Sequence, residues 1–347
     1  MMSDNRAACR RPCAISLPRM RPRALVAPDS FKGTFDAPQV ARALAAGLEQ
    51  AGWEADRCPV ADGGEGTMRL LVDALGGELV DVRVSDPLGR PISARFGLAG
   101  GGAIAIVEMA EASGLGRVAP EERDPWRAST RGTGELILAA AAAGAREILV
   151  AVGGSATTDG GAGAIEAIRD GGGIGAARLR VLCDVEVAFE DAPRIFGPQK
   201  GADPAMIARL EERLDALARA LPRDPRRVPA TGCAGGLSGG LWAAFDAELR
   251  AGASAVLEAL GVDARMAAAQ LVVTGEGCLD EQSFGGKIVG ELVRRAGAAG
   301  MPVHAVVGSC RLADERAAAS GLAGVHVAST LHEMTAAATA LGAALRS

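Results

Sequence analysis

The stretch Ala24-Leu25-Val26-Ala27-Pro28-Asp29-Ser30-Phe31-Lys32-Gly33 passes from a short apolar run (24–28) into a loop that carries an acid, a hydroxyl, a lysine and a glycine. A helical periodicity follows over 37–50, and a second strand-like run over 55–60. Strand, loop, helix and strand at this spacing form a βαβ unit. The same grammar returns near the other end of the chain, with strands expected at 271–274, 303–307 and 325–328, and helices at 287–299, between the last two strands, and at 331–345. Such alternation predicts a mostly parallel sheet covered by helices on both faces.

The middle of the chain has a different rhythm. Strand candidates at 79–84, 92–98 and 103–108 follow one another directly, separated by Asp86-Pro87-Leu88-Gly89 and by Gly100-Gly101-Gly102, which predicts antiparallel or mixed pairing. A helix at 133–143, a strand at 148–152, a helix at 163–168, a strand at 179–185 and helices after Asp203 and Leu241 complete this section. The expected architecture is α/β. A Rossmann- or flavodoxin-like parallel-sheet domain, made of 24–62 plus 270–347, is interrupted by a second α/β domain with a mixed sheet, 63–269, and the site lies in the cleft between them. The alanine-rich 139–145 and the charged 209–219 read as an ordinary helix and a solvated helical face.

Composition narrows the function. A chain of 347 residues that is 49% hydrophobic can bury a large core, while a net charge of -5 gives no basic field to gather nucleic acid or an anionic membrane. No run is long and apolar enough to span a bilayer. The seven cysteines are scattered and never spaced as CxxC, and the three histidines (304, 326, 332) stand far in sequence from every glycine-rich loop. Neither a disulfide framework, a thiolate or histidine metal site, nor a Ser-His triad is encoded. A cytoplasmic enzyme acting on small molecules is the expectation. Residues 1–23, with six arginines and three prolines, are expected to be a disordered extension, or to precede a true start at Met20.

Against 34 arginines stand only three lysines, and each touches a glycine: Lys32-Gly33, Lys200-Gly201 and Gly286-Lys287. A compact ammonium beside exposed backbone N–H groups suits an anion, so all three are expected near one cleft.

Phosphoryl transfer requires backbone N–H groups around phosphates, a cation for developing charge, carboxylate-held magnesium, and a group that orients the acceptor hydroxyl. Five loops offer these parts. Ala27 to Gly33 carries Asp29, Ser30 and Lys32 at a strand end. Ala61-Asp62-Gly63-Gly64-Glu65-Gly66-Thr67 opens a helix, so Gly63, Gly64 and Gly66 allow close phosphate approach, and Asp62 or Glu65 either meets phosphate through magnesium or caps that helix. Val152 to Gly161 offers the amides of Gly153 and Gly154 and the hydroxyls of Ser155, Thr157 and Thr158. Its Asp159 serves magnesium or caps a helix. Phe196 to Ala202 projects Lys200 from a proline-stiffened loop, and Thr274 to Lys287 supplies Glu276, Asp280 and Lys287. No Walker A sequence and no GxGxxG is present, which argues against a P-loop enzyme and a nicotinamide dehydrogenase.

These loops resemble the bacterial glycerate kinase family. APDSFKG (27–33), ADGGEGT (61–67), DPLGRP (86–91), IVEMAEASGL (106–115), GTGELI (132–137), GGSATTDGG (153–161), FGPQKGA (196–202), AGGL (234–237), and TGEG with Asp280 and GGK occur in that family's order. The resemblance implies transfer of the ATP γ-phosphate to D-glycerate, with 2-phosphoglycerate as product and Mg2+ as helper. On this footing Lys32, Asp62, Asp159 and Lys200 are the catalytic candidates. Gly63, Gly64, Gly66, Gly153, Gly154, Ser155, Thr157 and Lys287 are the nucleotide-phosphate candidates. Asp29, Ser30, Lys32 and Glu276 are assigned to substrate, and Asp62, Glu65, Asp159 and Asp280 to magnesium. The chain departs from the family between Asp159 and Asp184, a connection of only about two dozen residues where a much longer segment is usual, and at Arg131 and 185–189. A second reading is a non-catalytic or altered-specificity member that binds a hydroxy acid or nucleotide.

Overall fold

The structure, a computed structural model, describes residues 21–31 and 33–346. The expected disordered extension (apart from its last three residues) and Lys32 lie outside the described residues. Eleven strands are present among them: β1 (Arg23–Val26), β2 (Glu54–Arg57), β3 (Glu78–Ser85), β4 (Pro91–Ala99), β5 (Ile104–Glu108), β6 (Glu147–Ala151), β7 (Arg178–Cys183), β8 (Glu248–Ala251), β9 (Leu271–Leu279), β10 (Val303–Cys310) and β11 (Gly324–Val327). They make two sheets. The first, ordered β11-β10-β9-β1-β2, is parallel throughout. The second, ordered β3-β4-β5-β6-β7-β8, is antiparallel across its first two pairings and parallel across its last three.

The sequence explains why β1 and β9 sit in the middle of the first sheet. Successive side chains of a strand point to opposite faces. Ala24 and Val26 of β1, with Leu271 and Val273 of β9, enter one apolar cluster with Val40, Leu44 and Leu48 of the helix Ala37–Gln50 and Met334 and Ala338 of the helix Leu331–Ala344. Leu25 and Val272 enter the other. Both faces are therefore buried, as a doubly wound sheet requires.

That second cluster extends beyond its own sheet. It runs through Leu70 and Leu71 of the helix Thr67–Ala74 and Val256 and Leu257 of the helix Gly252–Ala259 to Ile106, Leu149 and Leu182 on β5, β6 and β7. The two sheets thus share one apolar layer, and each fully buried leucine in it contributes about 1.5–3 kcal/mol. The far face of the second sheet carries Val107, Ile148, Val150 and Val181, covered by the helices Arg131–Ala142, Ala162–Asp170 and Cys233–Phe245.

Local chemistry sets the helix starts. Asp36 accepts from the Gln39 N–H at 2.7 Å while Gln39 Oε1 accepts from the Asp36 N–H at 3.0 Å, a reciprocal cap that begins the helix Ala37–Gln50 where the periodicity predicts it. Several elements differ from expectation, the helices Gly252–Ala259 and Val262–Ala267 among them. The helix expected after Leu241 starts earlier than that: the chain turns through Ala234, Gly235 and Gly236 in left-handed conformation (φ 54, 67 and 91°), and the helical stretch that follows runs to Phe245. The strand β8, short and bearing Glu248 and Arg250, was not expected at all. No helix among the described residues is long and apolar enough to cross a membrane.

Candidate functional site

The C-terminal ends of β1, β2, β6, β7 and β9 open onto one cleft with three connected lobes. The first, ≈ 460 Å³, is lined by Asp29, Ser30, Asp62, Glu276, Asp280 and Lys287, among others. The second, ≈ 590 Å³, shares Asp29, Ser30 and Asp62 and adds Gly64, Glu65, Gly153, Gly154 and Asp184. The third, ≈ 100 Å³, shares Gly153, Gly154 and Asp184 and ends on Ser155, Lys200, Cys233 and Ala234. Ligands in open α/β sheets gather at such strand ends.

Backbone pairing holds each loop. The first is fastened to β9, with the Ala27 N–H donating to Val273 O and the Asp29 N–H to Gly275 O, both at 2.8 Å, while the Thr274 hydroxyl donates to Ala27 O at 2.9 Å. This brings Asp29 and Ser30 beside Glu276. In the second loop the Gly64 N–H donates to Asp62 Oδ1 at 3.1 Å. The third loop is tied to the segment after β5: the Leu115 N–H donates to Gly154 O at 2.8 Å and the Ala156 N–H to Ser113 O at 3.0 Å.

The second and third loops touch, and glycine makes the contact possible. Gly154 has φ +70°, and a Cβ there would overlap the Glu65 carboxylate; one on Gly153 would lie 2.9 Å from Gly64 Cα. The two sheets' loops therefore meet backbone to backbone in the floor of the cleft.

Several expected residues lie elsewhere. Asp159, expected at magnesium, is only 1% exposed. Its Oδ2 accepts from Thr130 N (2.9 Å), Thr130 Oγ1 (2.8 Å) and Gly163 N (3.2 Å), and its Oδ1 from Gly161 N (3.1 Å). Four donors take up this carboxylate, so the helix-capping alternative is the one the structure displays. Thr157 is fully buried, contributing its carbonyl rather than its hydroxyl, which has no partner among the described residues. Gly63 packs on Gly252, and Gly66 faces a side groove with Arg69 and Leu70.

Lys200 is 1% exposed. Its Nζ donates to Ser155 Oγ at 2.7 Å and to Thr157 O at 2.6 Å. Burial pushes the ammonium down to about 7, partly offset by the charge of Asp159. Lys200 and Lys287 stand at opposite ends of the same cleft.

Two residues outside the sequence candidates join the site. Asp184, at the end of β7, borders both the second and third lobes. Glu108, at the end of β5, is 7% exposed and accepts from the Met68 N–H at 2.7 Å. Burial pushes its carboxyl up to about 7 against the opposing N–H groups of Met68 and Gly66. Gly66 gives the helix Thr67–Ala74 no side-chain cap, so Glu108 supplies one from another strand and fixes the loop bearing Asp62 and Glu65. The sequence marks Glu108 only as the acid that ends the apolar run Ile104-Ala105-Ile106-Val107, with nothing to point to its partner at Met68.

Among the described residues no three His, Cys, Asp or Glu side chains converge as a ready-made metal cage. Oxygen donors on Asp62, Glu65 and Asp280 nevertheless line the cleft, a set that fits an ion held by one or two carboxylates together with phosphate oxygens.

Comparison with known proteins follows this geometry. A family model described as the glycerate kinase family matches residues 24–170 and 173–346. A glycerate kinase of Halalkalibacterium halodurans is 39% identical over 322 residues, covering 82% of this chain and 85% of that protein. A glycerate 2-kinase of Escherichia coli is 38% identical over 324 residues, covering 83% and 85%. A crystal structure described as glycerate kinase 2 from Salmonella typhimurium LT2 superposes with a TM-score of 0.83 at 34% identity, covering 94% of this chain and 99% of that one.

Proposed function

The chain belongs to the glycerate kinase family, and on that premise we propose that it transfers the γ-phosphoryl group of ATP to the 2-hydroxyl of D-glycerate. The acceptor oxygen forms a bond to the γ-phosphorus, the bond from that phosphorus to the β–γ bridging oxygen breaks, ADP leaves, and the hydroxyl proton passes to a carboxylate. The observation that carries this reading is the single cleft in which carboxylates, exposed glycine backbone and two lysines converge from both sheets.

The parts divide by place. The two larger lobes, walled by the loops of β1, β2 and β9, have room for ATP, with Lys287 supplying charge for the phosphates and Gly64, Gly153 and Gly154 supplying close backbone approach. Asp62, with Glu65 or Asp280, would hold Mg2+, which neutralises phosphate charge when bound. With Asp159 committed to four donors, Asp184 at the border of the second and third lobes is the carboxylate placed to orient the acceptor hydroxyl. The E. coli relative named glycerate 2-kinase supports the choice of hydroxyl. The soluble cytoplasm is the expected compartment.

A coupled ADP-release assay with ATP, Mg2+ and D-glycerate, with the product's phosphate position read by NMR, tests the reading. 2-Phosphoglycerate is expected. A 3-phosphorylated product would overturn the regiochemistry, and no ADP with glycerate or related acids would overturn the kinase assignment. Loss of turnover on chelation, restored by Mg2+, is the expected metal response.

A further inference from the structure

We propose that the smallest lobe, closed by Lys200, is the anchor for the acceptor's carboxylate, so that glycerate enters from the Lys200 end of the cleft and ATP from the Lys287 end. This rests on the kinase reading above.

The first support is size. At ≈ 100 Å³ the lobe admits one small anionic group, whereas the adjoining lobes of ≈ 590 and ≈ 460 Å³ suit a triphosphate. The second is an unsatisfied cation. An ammonium has three N–H donors. Lys200 uses one on Ser155 Oγ and one on Thr157 O, and its third has no protein acceptor among the described residues. The Asp159 carboxylate, whose charge favours the ammonium, directs its hydrogen bonds to Thr130, Gly161 and Gly163 and none to Lys200. An incoming carboxylate would accept the remaining N–H and hold the lysine in its charged form against the burial that disfavours it.

The lobe is also rigidly built. The loop carrying Lys200 is closed by the Lys200 N–H on Gly197 O (3.0 Å), the Gly201 N–H on Pro198 O (3.1 Å) and the Ala202 N–H on Gly197 O (3.0 Å). On the facing wall, Ala234 holds φ 54°, a left-handed conformation that costs a non-glycine residue on the order of 1–3 kcal/mol and tends to be kept where a site needs its shape. Asp184 borders this lobe and the next. A carboxylate seated against Lys200 therefore leaves the adjacent carbon's hydroxyl nearest that border, toward the lobe assigned to ATP, which would make this anchor the determinant of which hydroxyl is phosphorylated.

The experiment is steady-state kinetics of Lys200→Met and Ser155→Ala with each substrate varied in turn, and with glycerol as an acceptor that lacks the carboxylate. Loss of a hydrogen bond to a charged group predicts that Lys200→Met raises KM for D-glycerate roughly tenfold to a hundredfold, with KM for ATP within about twofold. The wild type's preference for glycerate over glycerol should shrink by a similar factor. Ser155→Ala, which leaves the lysine in place but frees it from one clamp, should raise KM for glycerate alone by a smaller factor, and it decides the question if the methionine variant does not fold. A rise in KM for ATP with glycerate unaffected would place phosphate, not carboxylate, at Lys200 and overturn the proposal; so would an unchanged KM for both substrates. Absence of turnover in the wild type would instead strike at the kinase reading itself.

Discussion

Glu108 gives the sharpest test of how the cleft floor is held. Its carboxyl ordinarily titrates near 4.5, and burial raises it to about 7, while only Met68 and Gly66 N–H groups oppose the shift, with Glu111 and Glu65 adding repulsion. A group whose folded value exceeds its unfolded value binds more protons in the folded state between the two, so stability falls as pH rises from about 4.5 to about 7. Each unit is 1.36 kcal/mol, so the shift corresponds to roughly 3 kcal/mol, fully lost above about pH 7. Glu108→Gln keeps an oxygen for the Met68 N–H and removes the charge. Urea denaturation of both proteins at pH 5 and pH 8 isolates this group, because every other titration is common to the two. The glutamine variant should gain on the wild type by up to about 3 kcal/mol between those pH values. A stability difference that does not change with pH would refute the burial argument.

Three further outcomes follow from the same geometry. Lys287→Ala should lower kcat/KM by on the order of 10² if its ammonium meets the phosphates, measured with ATP as the varied substrate; a near-normal value would remove it from the site. Asp159→Ala leaves three N–H groups and a hydroxyl without an acceptor, so it should lose about 3 kcal/mol or more in denaturant titration while the Mg2+ concentration for half-maximal rate stays that of the wild type. A large rise in that concentration would return Asp159 to the metal. Gly154→Ala should lose about 1–3 kcal/mol through its left-handed backbone and displace Glu65, and unchanged stability and activity would contradict the packed floor.

The sheet that forms the frame was legible because its signals were local. The continuous apolar runs at 24–26 and 271–273 and the helical periodicity over 37–50 each act within a few residues. β8 was not, since Glu248 and Arg250 carry no apolar pattern and the strand exists only by pairing with β7 at the sheet edge. The left-handed turn at Ala234-Gly235-Gly236 ahead of the helix that ends at Phe245 was hidden for a different reason: packing on Thr157, Gly160 and Phe189 imposes its shape. Most of the cleft lining followed from glycine-bearing loops placed after strands. Asp159 had two readings in sequence, and the partner that decides between them, Thr130, lies 29 residues away. Glu108 acts on an N–H 40 residues distant, which no spacing reveals. The shortened connection before Asp184 forms the turn at 171–177, at the start of β7, while the cleft lies at that strand's other end, roughly 20 Å off at about 3.3 Å per residue.

The interleaving of β1 between β2 and β9 also has a consequence for biosynthesis. When β1 leaves the ribosome only β2 is soon at hand, and its other edge must wait for about 250 more residues. At translation speeds of roughly 5–20 residues per second, that interval lasts on the order of 10–50 s. During it the nascent chain presents Leu25 and Val26, which are fully buried once folding is complete. The second sheet, whose strands all come from the intervening stretch, can assemble meanwhile. The segment 271–327 thus completes the sheet that residues 23–57 began, and both walls of the cleft exist only after that segment has been made.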